Sequence, residues 1–281
     1  MCSLASVRHG SAMDSSSALP ERLSPSRLSD YAQCPRLFFY KTIERRHSPA
    51  TVATTKGSLA HYAFEHIFDL ERDERRAENA VPYVREHWRE LSVKDDYAEI
   101  MSLDDAVIEN MLVEAEGLVR NWFSVERPHN FDPRGREMWV RGEIEGCALH
   151  GVIDRLDVVE SSGGQRVYIS DYKTGKIPKT AYRSKAFFAM NIYDGLLSQQ
   201  EELGADELRL VYVVNGKRED VLRQSVTPES RAGIRENVGR LWRGISENAA
   251  RGEWRPEPSV LCGWCPFQSI CPAHTVDVSG F

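Results

Sequence analysis

The residues that could do chemistry gather first in Val167-Tyr168-Ile169-Ser170-Asp171-Tyr172-Lys173-Thr174-Gly175-Lys176. A β-branched and aromatic run gives way to a polar, glycine-containing turn, which predicts a strand running out to an edge. Period-two geometry puts Asp171 and Lys173 on one face at that exit. Alone, an Asp-x-Lys pair is weak, so its meaning rests on partners. Gly151-Val152-Ile153-Asp154-Arg155-Leu156-Asp157 supplies a second acid, Asp154. Lys56-Gly57-Ser58-Leu59-Ala60-His61 supplies an imidazole. Two carboxylates and a histidine make an oxygen-rich site suited to Mg²⁺ or Mn²⁺. Such an ion serves phosphodiester hydrolysis, and Lys173 would orient or deprotonate the attacking water and stabilise the developing charge. The competing reading is an ordinary sheet salt bridge of Asp154 with Arg155 or Lys173.

The second set is Cys34 with Cys262, Cys265 and Cys271. Cys-x2-Cys-x5-Cys is a metal-ligand spacing, because the short loop lets two thiolates converge on one centre. Spacing leaves a structural zinc and a [4Fe–4S] cluster both open. Either would staple the N-terminal helix to the C-terminal segment. Cys147 reads as a core thiol, and Cys2 lies in the leader.

These residues need elements to carry them. Ser24-Pro25 opens a helix carrying Leu28 and Tyr31 to Cys34-Pro35, and a short aromatic and basic helix follows over 36–43. Leu59, Ala63, Ile67 and Leu70 recur at helical spacing, placing His61 on an amphipathic helix. Residues of about 71–130 read as a charged helical insertion without a chemical motif. The period then changes: 137–144, 147–159 and 166–171 read as a three-strand meander that sets Asp154 beside Asp171. A helix over 180–203, a buried strand over 207–215 and a helix over 228–250 complete the pattern. Lys176, Lys179, Arg183 and Lys185 follow the Asp-x-Lys strand and could line a phosphate groove.

The chain has 281 residues and a formal net charge of −6, with 41% hydrophobic and 28% charged residues. That size suits one large domain. The charge argues against a generally basic coat protein but not against a local basic channel. No apolar run reaches the roughly 20 residues of a membrane span, and no secretory signal is evident. Six cysteines in a chain read as cytoplasmic suggest metal ligands or core thiols before disulfides. The expected organisation is a leader over 1–22, one domain over 23–272 with its cluster segment at 252–272 joined to Cys34, and a tail over 273–281.

Together these motifs resemble the RecB-type PD-(D/E)XK nucleases that carry an iron–sulfur cluster, a group including AddB-type helicase–nuclease domains and CRISPR-associated relatives. The resemblance runs over nearly all of 23–272 apart from the helical insertion. Leu23-Ser24-Pro25-Ser26-Arg27-Leu28 with Tyr31 and Cys34-Pro35 is similar to the family's N-terminal cysteine motif. Gly57 to His61 is similar to its histidine motif, Gly151 to Asp157 to its first acidic motif, and Asp171-Tyr172-Lys173 to its D-x-K motif. Gly252-x-Trp254-x-Pro256-x-Pro258 ahead of the three cysteines is similar to its cluster segment.

The resemblance implies an α/β fold with a restriction-endonuclease-like core, a mixed central sheet flanked by helices. It implies a [4Fe–4S] cluster rather than zinc. It implies His61, Asp154, Asp171 and the Tyr172 carbonyl as metal ligands, Lys173 as catalytic, and Tyr193 as support for the substrate strand. The activity implied is a metal-dependent deoxyribonuclease, an exonuclease on single-stranded DNA ends in repair or recombination, with any helicase on a separate chain. One departure stands out: the family's Gln-x-x-x-Tyr motif keeps Tyr193, but Ala189 occupies the glutamine position. That departure gives weight to an alternative, a non-catalytic DNA-binding or adaptor subunit retaining the fold.

Overall fold

The computed structural model describes residues 19–274, so most of the expected leader, with Cys2, and the end of the tail lie outside the described residues. Helices α1 (Pro25–Gln33), α2 (Pro35–Phe38) and α3 (Val52–His66) open the fold; α4 (Ala77–Ala80), α5 (Pro82–Leu91), α6 (Ala98–Met101) and α7 (Asp105–Val125) follow. Then come strands β1 (Gly135–Ile144), β2 (Cys147–Ser161) and β3 (Gly164–Lys173), helices α8 (Arg183–Ala186) and α9 (Phe188–Gln200), strands β4 (Glu207–Tyr212) and β5 (Val221–Ser225), and α10 (Pro228–Arg251).

The five strands form one mixed sheet in sequence order. β1, β2 and β3 are an antiparallel meander. The crossover through α8 and α9 makes β4 parallel to β3, and β5 returns antiparallel to β4. The β1–β2 turn is tight because Glu145 and Gly146 both take positive φ, 49° and 76°, the geometry of a primed hairpin turn.

Each face of the sheet buries its own core. On one side Leu149, Ile153, Leu156, Ile169 and Leu210 meet Ile192, Leu196, Val238 and Leu241 of α9 and α10. On the other, Tyr172, Val211 and Val213 meet Phe64, Trp88 and Trp122 of α3, α5 and α7. The 71–130 stretch therefore roofs β3 and β4. Buried Asp194 links α9 to α10 by accepting from Ala205 N at 2.7 Å and from Arg231 at 2.8 and 3.1 Å. The free edge of β1 is closed by two side chains of α9: Gln199 bonds the Glu143 backbone at 3.1 and 2.9 Å, and Gln200 bonds Arg141 N and Trp139 O at 3.2 and 3.3 Å. Such pairing blunts an edge that would otherwise recruit another strand.

Two expectations change. The helix expected over 180–203 is broken: Thr180–Tyr182 and α8 are short turns, and Phe187 leaves helical geometry at ψ 1° while burying its ring in the core. β5 is an additional strand. Its Arg223, Gln224 and Ser225 hide the apolar signal, and pairing with β4 supplies the order that local sequence does not. Among the described residues, no helix is long and apolar enough to cross a membrane.

Candidate metal centre

His61 reaches the sheet because α3 approaches the end of β3 closely. Thr51 caps α3, exchanging bonds with Thr54. One turn before His61, a Cβ at Gly57 would stand only 3.3 Å from Thr174 Oγ1, so a small residue there lets the helix close on the strand exit. Arg136 of β1 fixes the other end, donating to Glu65 O at 2.6 Å and pairing with Asp69 at 2.8 Å.

His61 Nε2 lies 3.0 Å from the Tyr172 carbonyl, and its Nδ1 lies 3.5 Å from Asp154 Oδ2. The same Asp154 oxygen accepts from Tyr172 N at 2.8 Å. Arg155 pairs with Ser170 across β2 and β3, so Asp154 and Asp171 are neighbours on adjoining strands. Lys173 Nζ stands 2.5 Å from Asp171 Oδ2. That contact is an ion pair without hydrogen-bond alignment, since the same buried oxygen has no hydrogen-bond partner. Three of the expected ligands thus meet around Asp154, while the Asp171 carboxylate turns towards Lys173.

Sequence reasoning misses a fourth group. Glu137 of β1 offers a carboxylate oxygen within 4.8 Å of ligand atoms of both His61 and Asp154. Its backbone is left-handed, φ 42°, an uncommon conformation for a non-glycine residue. Arg136↔Arg155 and Met138↔Ile153 flank it, which sets Glu137 opposite Asp154. The partnership depends on strand register, so no motif in the sequence announces it.

The charges show what this gathering costs. Burial, then repulsion by Asp171, pushes Asp154 up to about 6, against the pull of His61, the Tyr172 N–H and Lys173. Burial, then Asp154, Glu65 and Asp171, pushes Glu137 up to about 7. Burial alone would lower Lys173, but the Asp171 and Asp154 charges outweigh it and hold the amine above its usual range. In the metal-free protein Lys173 is therefore an ammonium. Half-buried Glu137 and Asp154 this close, beside buried Asp171 with an oxygen that accepts no hydrogen bond, form a donor set that suits a hard divalent cation.

The salt-bridge alternative for Asp154 and Arg155 does not hold. Arg155 is buried behind the site and forks onto Glu126 at 2.7 and 2.8 Å, bonds Asp157 at 3.0 Å and also donates to the Tyr172 hydroxyl. Asp154 is left without an arginine. Tyr193 of α9 lies against the β2 backbone: a Cβ at Gly151 would meet its ring at 2.3 Å. Burial, then the charges of Asp171, Asp154 and Glu137, raises the Tyr193 phenol. Lys176, Lys179, Arg183 and Lys185 are all exposed beyond the site.

Cys34, Cys262, Cys265 and Cys271 line one hollow. Cys34 Sγ accepts from Glu257 N at 3.4 Å and Cys262 Sγ from Ser259 N at 3.3 Å. No three of these sulfurs lie within 4.8 Å of one another. Thiolates sharing one tetrahedral zinc, with Zn–S about 2.3 Å, would stand about 3.8 Å apart. Aromatic packing brings the two ends together: Trp254 stacks on Phe38 at 5.4 Å, and Tyr40 packs on Phe267 at 5.2 Å while donating to Ile270 O at 2.9 Å. Cys147, by contrast, is fully buried in the sheet core.

Residues 22–272 match the family model described as the PD-(D/E)XK nuclease superfamily. No curated protein matches the chain. Among solved structures, a protein from Eubacterium rectale described as a candidate exonuclease aligns at 15% identity over 93% of both chains, with a TM-score of 0.56. At that identity the likeness is one of fold. A second structure, of the protein SSO0001, aligns at 17% identity over 88% of this chain and 85% of that one, with a TM-score of 0.37.

Proposed function

The chain belongs to the PD-(D/E)XK nuclease superfamily, and on that premise we propose that it is a metal-dependent DNA nuclease of the RecB type, acting as an exonuclease on single-stranded ends. The observation that carries the reading is the meeting of His61, Asp154 and the Tyr172 carbonyl beside the Asp171–Lys173 pair. His61, Asp154, Asp171 and the Tyr172 carbonyl would hold Mg²⁺ or Mn²⁺, and Glu137 adds a fourth acidic or imidazole side chain to that set. When bound, a divalent cation there supplies neutralising charge at a phosphate and makes a bound water more acidic.

The protein's own residues do the rest. Lys173, charged and 40% exposed on its side chain, faces outward where a phosphate would arrive, and it stabilises charge that builds up in the transition state. Tyr193 and Gly151 fix the wall beside the acids, and the exposed Lys176, Lys179, Arg183 and Lys185 draw the DNA backbone in. The hollow lined by Cys34, Cys262, Cys265 and Cys271 would hold the [4Fe–4S] cluster that the RecB-type resemblance implies, closing the N-terminal helices onto the C-terminal segment. A role in repair or recombination, in the cytoplasm and beside a helicase on another chain, completes the proposal.

The test is cleavage of end-labelled single- and double-stranded DNA, open or end-blocked, with Mg²⁺ or Mn²⁺. Open single strands should be degraded, and Asp171→Ala and Lys173→Ala should abolish this. DNA binding with no cleavage by the wild-type protein in either metal would favour a non-catalytic subunit, the reading that Ala189 in the glutamine position supports.

A further inference from the structure

The face of β1 and β2 that points away from α9 and α10 carries a feature the proposed chemistry does not use. Trp139 is 68% exposed. Its ring lies over His150 of the next strand, centroids 5.9 Å apart and planes 21° from parallel. A large aromatic held flat and open to solvent forgoes burial that would stabilise the fold. Its position gives it a use. Trp139 stands two residues along β1 from Glu137, and His150 four residues along β2 from Asp154, or roughly 7 and 13 Å at strand rise.

The surroundings are basic. Trp139, His150, Arg22 and Arg141 line one hollow, and Arg22 and His150 also border a second that takes in Arg45 and Arg46. The two hollows adjoin along these shared walls. The one acid in that second hollow, Asp30, is already held by Lys41 at 2.9 Å and by Arg27 at 3.6 Å. In a chain of net charge −6, this is a local concentration of positive charge, and its Trp139 end lies two residues along β1 from Glu137. An aromatic face beside a cationic track is how single strands are held without sequence preference. A duplex hides its base faces and cannot use such a platform along its length.

We propose that the stacked Trp139–His150 pair is a base-stacking platform that holds single-stranded DNA in line with the acidic centre, with Arg22, Arg141 and Arg45 taking its phosphates. This deepens the nuclease reading and rests on it for the identity of the centre.

The test measures binding apart from cleavage. Fluorescence anisotropy in EDTA, with labelled oligo-dT and a blunt duplex of equal length, compares wild type with Trp139→Ala, Trp139→Phe and Arg22→Ala. Trp139→Ala should weaken oligo-dT binding about tenfold, within what stacking one base contributes, and leave the duplex and the salt slope unchanged. Trp139→Phe should recover most of the loss. Arg22→Ala should weaken both ligands and reduce the salt slope by about one. Photo-crosslinking of a 5-bromouracil oligonucleotide to the wild-type protein should map to Trp139, a readout that needs no variant. Oligo-dT binding by Trp139→Ala equal to wild type, an equal loss on the duplex, or crosslinks elsewhere would overturn the platform. If the wild type cleaves single strands while Trp139→Ala binds normally, the platform fails and the nuclease reading stands. If Trp139→Ala loses oligo-dT while the wild type cleaves nothing with Mn²⁺, the nuclease reading fails and the platform stands.

Discussion

Glu137 on β1 faces Asp154 on β2, their carboxylates close enough to share one cation; burial and the Asp154 charge raise the pKa of Glu137, while burial and the Asp171 charge raise that of Asp154. An acid whose pKa rises on folding binds more protons in the folded state than in the unfolded one. Stability of the metal-free protein therefore falls as pH climbs from about 4, the ordinary value of Asp154, through about 6 and 7, the values reached by Asp154 and Glu137. Asp154 accounts for about 1–3 kcal/mol of this at 1.36 kcal/mol per unit. Melting curves in EDTA at pH 5 and pH 8 should show a smaller drop for Asp154→Asn than for wild type, and Mn²⁺ should raise the wild-type Tm more at pH 8 than at pH 5. Equal drops for the two proteins would remove the electrostatic account of the site.

Lys173 leads to a separate expectation. Held as an ammonium by Asp171 and Asp154, it competes with a cation for the same oxygens. Lys173→Gln should lower cleavage by about 10²-fold or more while Mn²⁺ binding, followed by calorimetry, stays as strong or tightens. A parallel loss of metal binding would mean that Lys173 shapes the site and does not act on the phosphate.

How much of this was legible follows from distance along the chain. His61, Asp171 and Lys173 announce themselves because helix and strand periods fix their local neighbours, and Asp154 follows from a hairpin with short turns. Glu137 does not, because its partner is set by register across β1 and β2. Glu126 follows directly on the end of α7 in a stretch without a motif, and only packing of α7 on the sheet brings it to Arg155, 29 residues on. Trp139 reads as an ordinary strand aromatic until the fold leaves it uncovered.

Glu126 and Arg155 carry the next prediction. The pair is buried, with Trp122 Nε1 also donating to Glu126 at 2.7 Å. Burial would raise Glu126, but the Arg155 charge, the hydrogen bonds from Arg155 and Trp122 and the Arg209 charge together hold it below its usual pKa. Removing the guanidinium strands Glu126 and Asp157 without a counter-charge, a loss of about 3–5 kcal/mol for such a broken pair. Arg155→Met should lower the urea midpoint accordingly, and adding Glu126→Gln should recover part of it. Identical midpoints for the single and double variants would show that the penalty is not electrostatic.

The four cysteines make their prediction through the joint they close. Cys34 belongs to the N-terminal helices and the other three to the last described segment, so a group bound by all four crosslinks the ends of the domain. Purified without oxygen, the protein should contain iron and sulfide, and Cys265→Ser should lose both together with several degrees of Tm. Stoichiometric zinc in a colourless protein would instead make the site a structural zinc centre.

Gly151 and Tyr193 test whether the wall of the centre matters to its chemistry. A methyl group at 151 would sit 2.3 Å from the Tyr193 ring, nearer than any real contact, while Tyr193 is fixed by α9 packing on the sheet. Gly151→Ala must therefore push the tyrosine away from the acids or lift α9 from β2, and overpacking of this kind costs about 1–3 kcal/mol. Tyr193→Ala in the same chain makes room for the methyl, so the double variant should regain most of the lost stability. Cleavage should stay low in both, because neither has a tyrosine beside the centre. A double variant that recovers cleavage along with stability would reduce Tyr193 to a packing residue.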